Sequence, residues 1–267
     1  VLNHFDNGGY LLYRLYPRHR VFMAGNTSMY PSSFLERYRR EVVEGSISAG
    51  RLAEKYKFQT AIIDHSTLEA GGTVTRLQRS KDWRLIWFDR VAAIWAVHGA
   101  APEFPELDVA RRYRELDQER VEGQGGSVRR PGSRRKLYPA LNMARFLIRL
   151  DRADLALREI SRLYDQGPDA QLVEAMARGH YYRAVELLEQ GEPEQARGEL
   201  MQAVTFSPSE PGPWIALARI EVESGNRELA LIRLREALRR MPDDHQRDMI
   251  LADPVLGKVL RENQNNP

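Results

Sequence analysis

The apolar positions in the last third of the chain recur at a fixed interval. Ala196, Leu200, Ala203 and Pro208 return as Ala230, Leu234, Ala237 and Pro242, every pair 34 residues apart. A partial earlier copy, Ala156, Ile160, Leu163 and Pro168, keeps the internal spacing but stands 40 residues ahead, which places an insertion around Gln171 to Met176. The physical content is a helical hairpin. A small Ala lets two crossing helices approach, a large apolar residue four positions on lies on the same face, and the proline ends the helix. Gly191 and Gly225 fall where the paired helices turn, as C-terminal helix stops do. The segment from Asp244 to Asn263, with Leu251, Val255, Leu256 and Leu260, predicts one capping helix over the last apolar face.

This period resembles the tetratricopeptide repeat, and Trp214, Leu217 and Ala218 are similar to the W-x2-L-G opening of that family's first helix. The resemblance implies a scaffold whose first helices line a groove that holds a protein or peptide. Carried over, the groove positions are Tyr138, Arg145, Arg178, Tyr181, Arg219 and Val222. Arginine recurs once per repeat beside tyrosine and aliphatic residues, a combination suited to an acidic or amphipathic segment. Solvated helix faces are the plainer reading of the same arginines. The two-lysine, two-asparagine clamp of the family's chaperone-binding members is missing, so a chaperone C-terminus is not the expected partner.

Residues 1–98 follow a different pattern. Short β-rich runs, Arg20 to Met23, Thr60 to Asp64, Trp83 to Phe88 and Val91 to Val97, alternate with helical spacing in Phe34 to Val43 and Ser48 to Lys57. The last two runs read as a hairpin turning at Asp89–Arg90. Residues 99–136 form a joint with one helix from Leu107 to Val121, a Gly-rich stretch from Gly123, and a basic run of Arg129, Arg130, Arg134, Arg135 and Lys136. That run reads as a solvated linker or as a contact to phosphates or anionic lipid. The expected fold class is therefore a small α/β domain over 1–98, a linker over 99–136, and an all-α array of three repeats with its cap over 137–267.

Asn3-x-x-Asp6-Asn7-Gly8-Gly9-Tyr10-Leu11, then Arg14-Leu15, Val21-Phe22-x-x-Gly25 and Tyr30, is similar to a soluble domain of bacterial proteins of the dolichyl-phosphate-mannose mannosyltransferase type, where it follows the membrane helices. One departure is Ala24-Gly25-Asn26, where such proteins carry an Asp-Gly-Arg-like segment. The resemblance implies the extracytoplasmic (periplasmic) face of a bacterial inner membrane, an upstream membrane portion, and an accessory role in glycan or lipid-linked sugar handling as the alternative to a protein-binding scaffold. A start at Val1 without Met fits an excised fragment; with no such upstream portion, a cytoplasmic scaffold is the remaining reading.

Charge and composition narrow the chemistry. Net charge is +3, yet residues 1–100 hold 14 basic against 9 acidic residues and residues 137–267 hold 17 against 21, which argues against one continuous nucleic-acid face. With 0 cysteines there is no thiolate nucleophile, thiolate metal site or disulfide. The histidines form no H-x3-H or H-E-x-x-H pair, so no metal site is expected. Asp64-His65-Ser66 cannot make a relay because adjacent residues lack the geometry, and Ala70-Gly71-Gly72-Thr73 lacks the lysine of a phosphate loop. The remaining polar group is His4, Asp6 and Tyr10 beside a Gly-Gly turn; His4 and Asp6 on a strand would share a face, while Asp6 as a cap for the following helix is the structural alternative. No cofactor and no catalytic residue are expected.

Overall fold

The computed structural model describes residues 1–67, 70–122, 134–241 and 243–264. They form two compact units, Val1–Leu155 and Ala156–Pro267. The Gly-rich stretch, Arg129 and Arg130 of the basic run, and Pro242 lie outside the described residues.

The first unit is a small α/β fold. Its strands β1 (Leu2–Asn3), β2 (Thr60–Asp64), β3 (Trp83–Phe88) and β4 (Ala92–Val97) make one sheet in the order β1-β2-β4-β3. β1 runs parallel to β2, and the other pairs are antiparallel, with Ala61 opposite Trp95 and a bulge between Leu85 and Trp87. The helices are α1 (Gly8–Leu15), α2 (Ser32–Tyr38), α3 (Ala49–Tyr56), α4 (Ala70–Gln78), α5 (Val109–Glu122) and α6 (Arg134–Arg149). Ser48 caps α3 by accepting the Arg51 N–H, and Asp108 does the same for α5. Asp89 closes the hairpin: its carboxylate accepts the N–H groups of Val91 and Ala92, both at 2.8 Å.

Two expectations need correction. Arg20 to Met23 is not a strand. Its backbone is held instead by Val1, whose ammonium donates to the Arg20 carbonyl at 2.7 Å and whose carbonyl accepts the Phe22 N–H at 3.0 Å, and by Asn3, whose buried amide accepts from the Phe22 and Met23 N–H groups at 3.0 and 3.2 Å and donates to the Met23 carbonyl at 2.8 Å. The edge strand is Leu2–Asn3, too short to show alternation. The helix expected over Phe34 to Val43 is α2 followed by a π-turn, Arg39–Val43. Arg76 from α4 closes that turn, its guanidinium donating to the carbonyls of Glu41 (3.1 Å), Val42 and Ile47.

α6 builds this unit's core. Phe146 is fully buried, stacks on His65 at 3.9 Å, and meets Phe88 and Trp95 edge-on at 5.4 and 6.3 Å. The compact units divide after Leu155, so α6 with its buried aromatic falls in the unit of the sheet.

The second unit contains the rest of α7 (Ala153–Tyr164), then α8 (Ala170–Glu189), α9 (Pro193–Phe206), α10 (Pro211–Glu223) and α11 (Arg227–Arg240). The repeat positions do what their chemistry requires: Ala196, Leu200, Ala203, Ala230, Leu234 and Ala237 are all fully buried. Gly191 and Gly225 each adopt φ +78°, and the next residue's N–H reaches back across the turn, Glu192 to the Leu187 carbonyl and Asn226 to that of Glu221, both 2.8 Å. The insertion at Gln171 to Met176 is helical. It lengthens α8 to 20 residues against 13 in α10. His180 Nδ1 lies 2.6 Å from Glu199 and its ring stacks on Phe206, tying α8 to α9.

The cap is two helices rather than the expected one, α12 (Asp244–Ala252) and α13 (Leu256–Gln264). Pro254 cannot continue α12. Asp253 then starts α13, its carboxylate accepting the Val255 and Leu256 N–H groups at 2.9 Å. Leu256, Val259 and Leu260 bury against Ala218 and Leu234, whereas Leu251 and Val255 are exposed.

Candidate functional site

Within the second unit, α8, α9 and the start of α10 enclose a pocket of about 190 Å³. Two of the expected groove residues line it: Arg178 and Tyr181 stand one turn apart on α8. The opposite wall is Ala203 of α9 and its C-cap Ser207, with Glu210, Gly212 and Pro213. Tyr181 is half-buried, and burial pushes its phenol above the usual range, so it acts as a neutral donor and apolar wall. Arg178 is exposed and paired within its own helix, 2.6 Å from Glu174. With Glu210 opposite, the lining carries two carboxylates to one guanidinium.

The loop that forms the far wall is held from behind. Trp214 Nε1 donates to the Pro208 carbonyl at 3.1 Å, and the Arg240 guanidinium lies over the indole at 4.9 Å while also donating to Pro208. Ser207, Glu210 and Gly212 had no sequence signal as site residues. Ser207 and Glu210 sit between repeats and Gly212 in the first turn of α10, where the 34-residue period marks none of them.

Arg219 and Val222 do not line this pocket. Arg219 pairs with Asp253 of the cap at 2.6 Å, and Val222 packs into the cluster of Leu256 and Leu260. The terminal repeat's exposed face is the one the cap covers. Tyr138 and Arg145 belong to α6 in the first unit: Tyr138 is exposed, and Arg145 donates to Asn142 at 3.1 Å.

The polar group near the N-terminus is not assembled. His4 is buried, 3.4 Å from the Thr73 hydroxyl, whereas Asp6 and Tyr10 are exposed. Asp6 sits in a 3-10 turn, Phe5–Asn7, and the residue at the cap position of α1 is Asn7, which makes no side-chain cap bond. The surrounding motif has a structural use. Asn3 brackets the 22–23 backbone, and a side chain at Gly8 would place its Cβ 1.9 Å from the Met23 carbonyl oxygen. Phe22 is the hub of an aromatic cluster with Phe34, Tyr56 and Phe58 at 4.8 to 5.5 Å. The Tyr30 hydroxyl accepts the Ala24 N–H at 2.7 Å.

Asp64, His65 and Ser66 form no relay. Asp64 caps its own turn by accepting the Ser66 N–H at 2.9 Å. His65 faces the Asp89 carbonyl at 2.9 Å, and burial pushes its imidazole below the usual range. Among the described residues no group of three or more His, Cys, Asp and Glu could hold a metal ion. No helix among them is long and apolar enough to cross a membrane.

No family model matches the chain, and no curated protein does. Two solved structures are similar in part. MamA AMB-1 C2221 is 16% identical, with 50% of this chain and 69% of that chain covered and a TM-score of 0.32. MamA MSR-1 C2 is 17% identical, with 49% and 67% covered and a TM-score of 0.31. At these scores the likeness carries no weight beyond that of the hairpins themselves.

Proposed function

We propose that the chain is a non-enzymatic interaction scaffold whose repeat unit holds a peptide segment of a protein partner at the extracytoplasmic face of a bacterial inner membrane. The pocket beside Tyr181 and Arg178 carries the binding reading. It is concave, bounded by an aromatic wall and the small residues Ala203 and Gly212, and it offers few charges in fixed positions. Of the two ligand characters expected, acidic and amphipathic, the lining favours the amphipathic one. Glu174 and Glu210 would repel a strongly acidic chain, whereas one apolar side chain fits between Tyr181 and Pro213. The location rests on the N-terminal resemblance. The accessory glycosyltransferase reading rests on that resemblance too, and on no feature of the described residues.

Gly212→Leu is the direct test. The added Cβ meets the Tyr181 ring at an ordinary 3.7 Å, so the fold is kept while the longer side chain fills the pocket. In selection from a displayed peptide library, the wild-type chain should enrich peptides with an apolar residue flanked by polar ones. Gly212→Leu should weaken their binding at least about tenfold, the loss of roughly 1.4 kcal/mol. Equal enrichment by both proteins would discard the pocket as the binding site.

A further inference from the structure

α1 buries one narrow face and leaves the rest without a partner from the fold. Leu11 and Gly8 point inward. On the opposite side, at helical spacing, Tyr13 is 83% exposed with Tyr10 at 65% and Tyr16 at 67%. Leu12, on the adjoining flank of the helix, is exposed as well. Exposed tyrosines singly need no explanation, but two on one short helix and a third at its C-cap, with an exposed leucine, form an amphipathic surface.

The charge around that surface has one sign. Arg14, Arg18 and Arg20 are exposed, and the chain has no acidic residue between Asp6 and Glu36. Among the described residues none of the three guanidinium groups is ion-paired, whereas Arg39, Arg111, Arg112 and Arg120 of the same unit all are. The arginines sit in the last turn of α1 and in the segment after it, beside the phenols. Guanidinium groups match phosphate oxygens, and tyrosine places an apolar ring in the acyl boundary while its hydroxyl stays at headgroup level.

We propose that α1 and the segment through Arg20 form a docking surface for an anionic lipid bilayer, with Tyr10, Tyr13, Tyr16 and Leu12 entering the headgroup layer and Arg14, Arg18 and Arg20 contacting lipid phosphates. A protein partner is less well matched, since guanidinium groups without carboxylate partners beside exposed phenols suit a surface of phosphates over acyl chains. The inference stands apart from the peptide-binding pocket: it uses other residues in another unit.

Co-sedimentation of the full chain with vesicles tests it. Binding to vesicles of phosphatidylcholine with a third phosphatidylglycerol should exceed binding to pure phosphatidylcholine at least tenfold and should fall as salt rises from 0.1 to 0.5 M. Each arginine replaced by glutamine should cost about fivefold, and the triple variant Arg14→Gln, Arg18→Gln, Arg20→Gln roughly a hundredfold. Tyr13→Ser with Tyr16→Ser should weaken binding even with all arginines present, which plain electrostatic attraction would not require. These side chains are exposed, so the variants should keep the wild-type circular dichroism spectrum. Equal binding to the two lipid mixtures would overturn the proposal. So would binding that survives both variants, because the basic run from Arg129 would then be its source.

Discussion

The two units are held together by different means. In the second, identity of position does the work: the same Ala, Leu and Gly recur, bury the same way and turn the chain the same way. In the first, much of the backbone is irregular, and single polar side chains bracket it. Asn3 holds residues 22–23, Arg76 holds the π-turn, and Arg84 donates to the carbonyls of Val97, Ala100, Ala101 and Phe104 at 2.8 to 3.1 Å. A repeat distributes stability over many similar contacts between neighbours. A bracket concentrates it, because removing the side chain leaves several buried backbone groups unpaired at once.

Leu200→Ala should show the largest effect. Leu200 is fully buried among Ala184, Leu187 and Leu217, so truncation removes apolar contact and leaves a cavity, at about 2–5 kcal/mol. Hydrogen exchange should show the lost protection centred on α8, α9 and α10. A loss below about 1 kcal/mol in urea unfolding would mean that the repeat core is loosely packed, and the comparison would fail on that side.

Asn3→Ala comes next. It removes a side chain of modest size, yet it strands the Met23 N–H and takes one of two acceptors from the Phe22 N–H, which keeps the Val1 carbonyl at 3.0 Å, for a cost of about 1–3 kcal/mol. The sharper signature is local. Aromatic signals of Phe22 and Tyr30 should shift by nuclear magnetic resonance, since both rings are positioned by the bracketed segment. If Asn3→Ala leaves them unmoved, the bracket is incidental.

The same difference explains what could be read in advance. The hairpins were legible because a period of 34 residues registers the same physical requirement twice, and small, large and helix-stopping residues cannot be confused at those places. The hairpin strands were legible through their β-branched and aromatic runs. A bracket leaves no such trace: Asn3 in the sequence is one amide among many, and Arg20 to Met23 reads as a strand by its residue types although its bonding partners are the Val1 backbone and the Asn3 side chain. The cap failed at Asp253-Pro254, where local helix-breaking chemistry outweighed an apolar pattern that continued across it. The candidate site was half legible. Arg178 and Tyr181 came from the first-helix rule, but the wall opposite them is the junction of α9 and α10, and Arg219 pairs with the cap.

The smallest effect, and the most discriminating, concerns acid. Glu41 is buried in the π-turn of the first unit, its carboxylate accepting from Lys55 at 2.6 Å and from the Tyr56 hydroxyl at 2.7 Å. Burial alone would raise its pKa, but the two hydrogen bonds and the neighbouring ammonium outweigh that and hold the carboxyl below its ordinary value of 4.5. A carboxylate depressed in this way adds stability that is complete above its unfolded value and disappears as pH falls through the folded one. Unfolding of the first unit, followed by the fluorescence of Trp83 and Trp95, should therefore become easier below pH ~4.5. Glu41→Gln should flatten that dependence while leaving the second unit's acid response unchanged. Should the variant keep the wild-type acid slope, the buried pair would be a packing feature rather than a charged bracket.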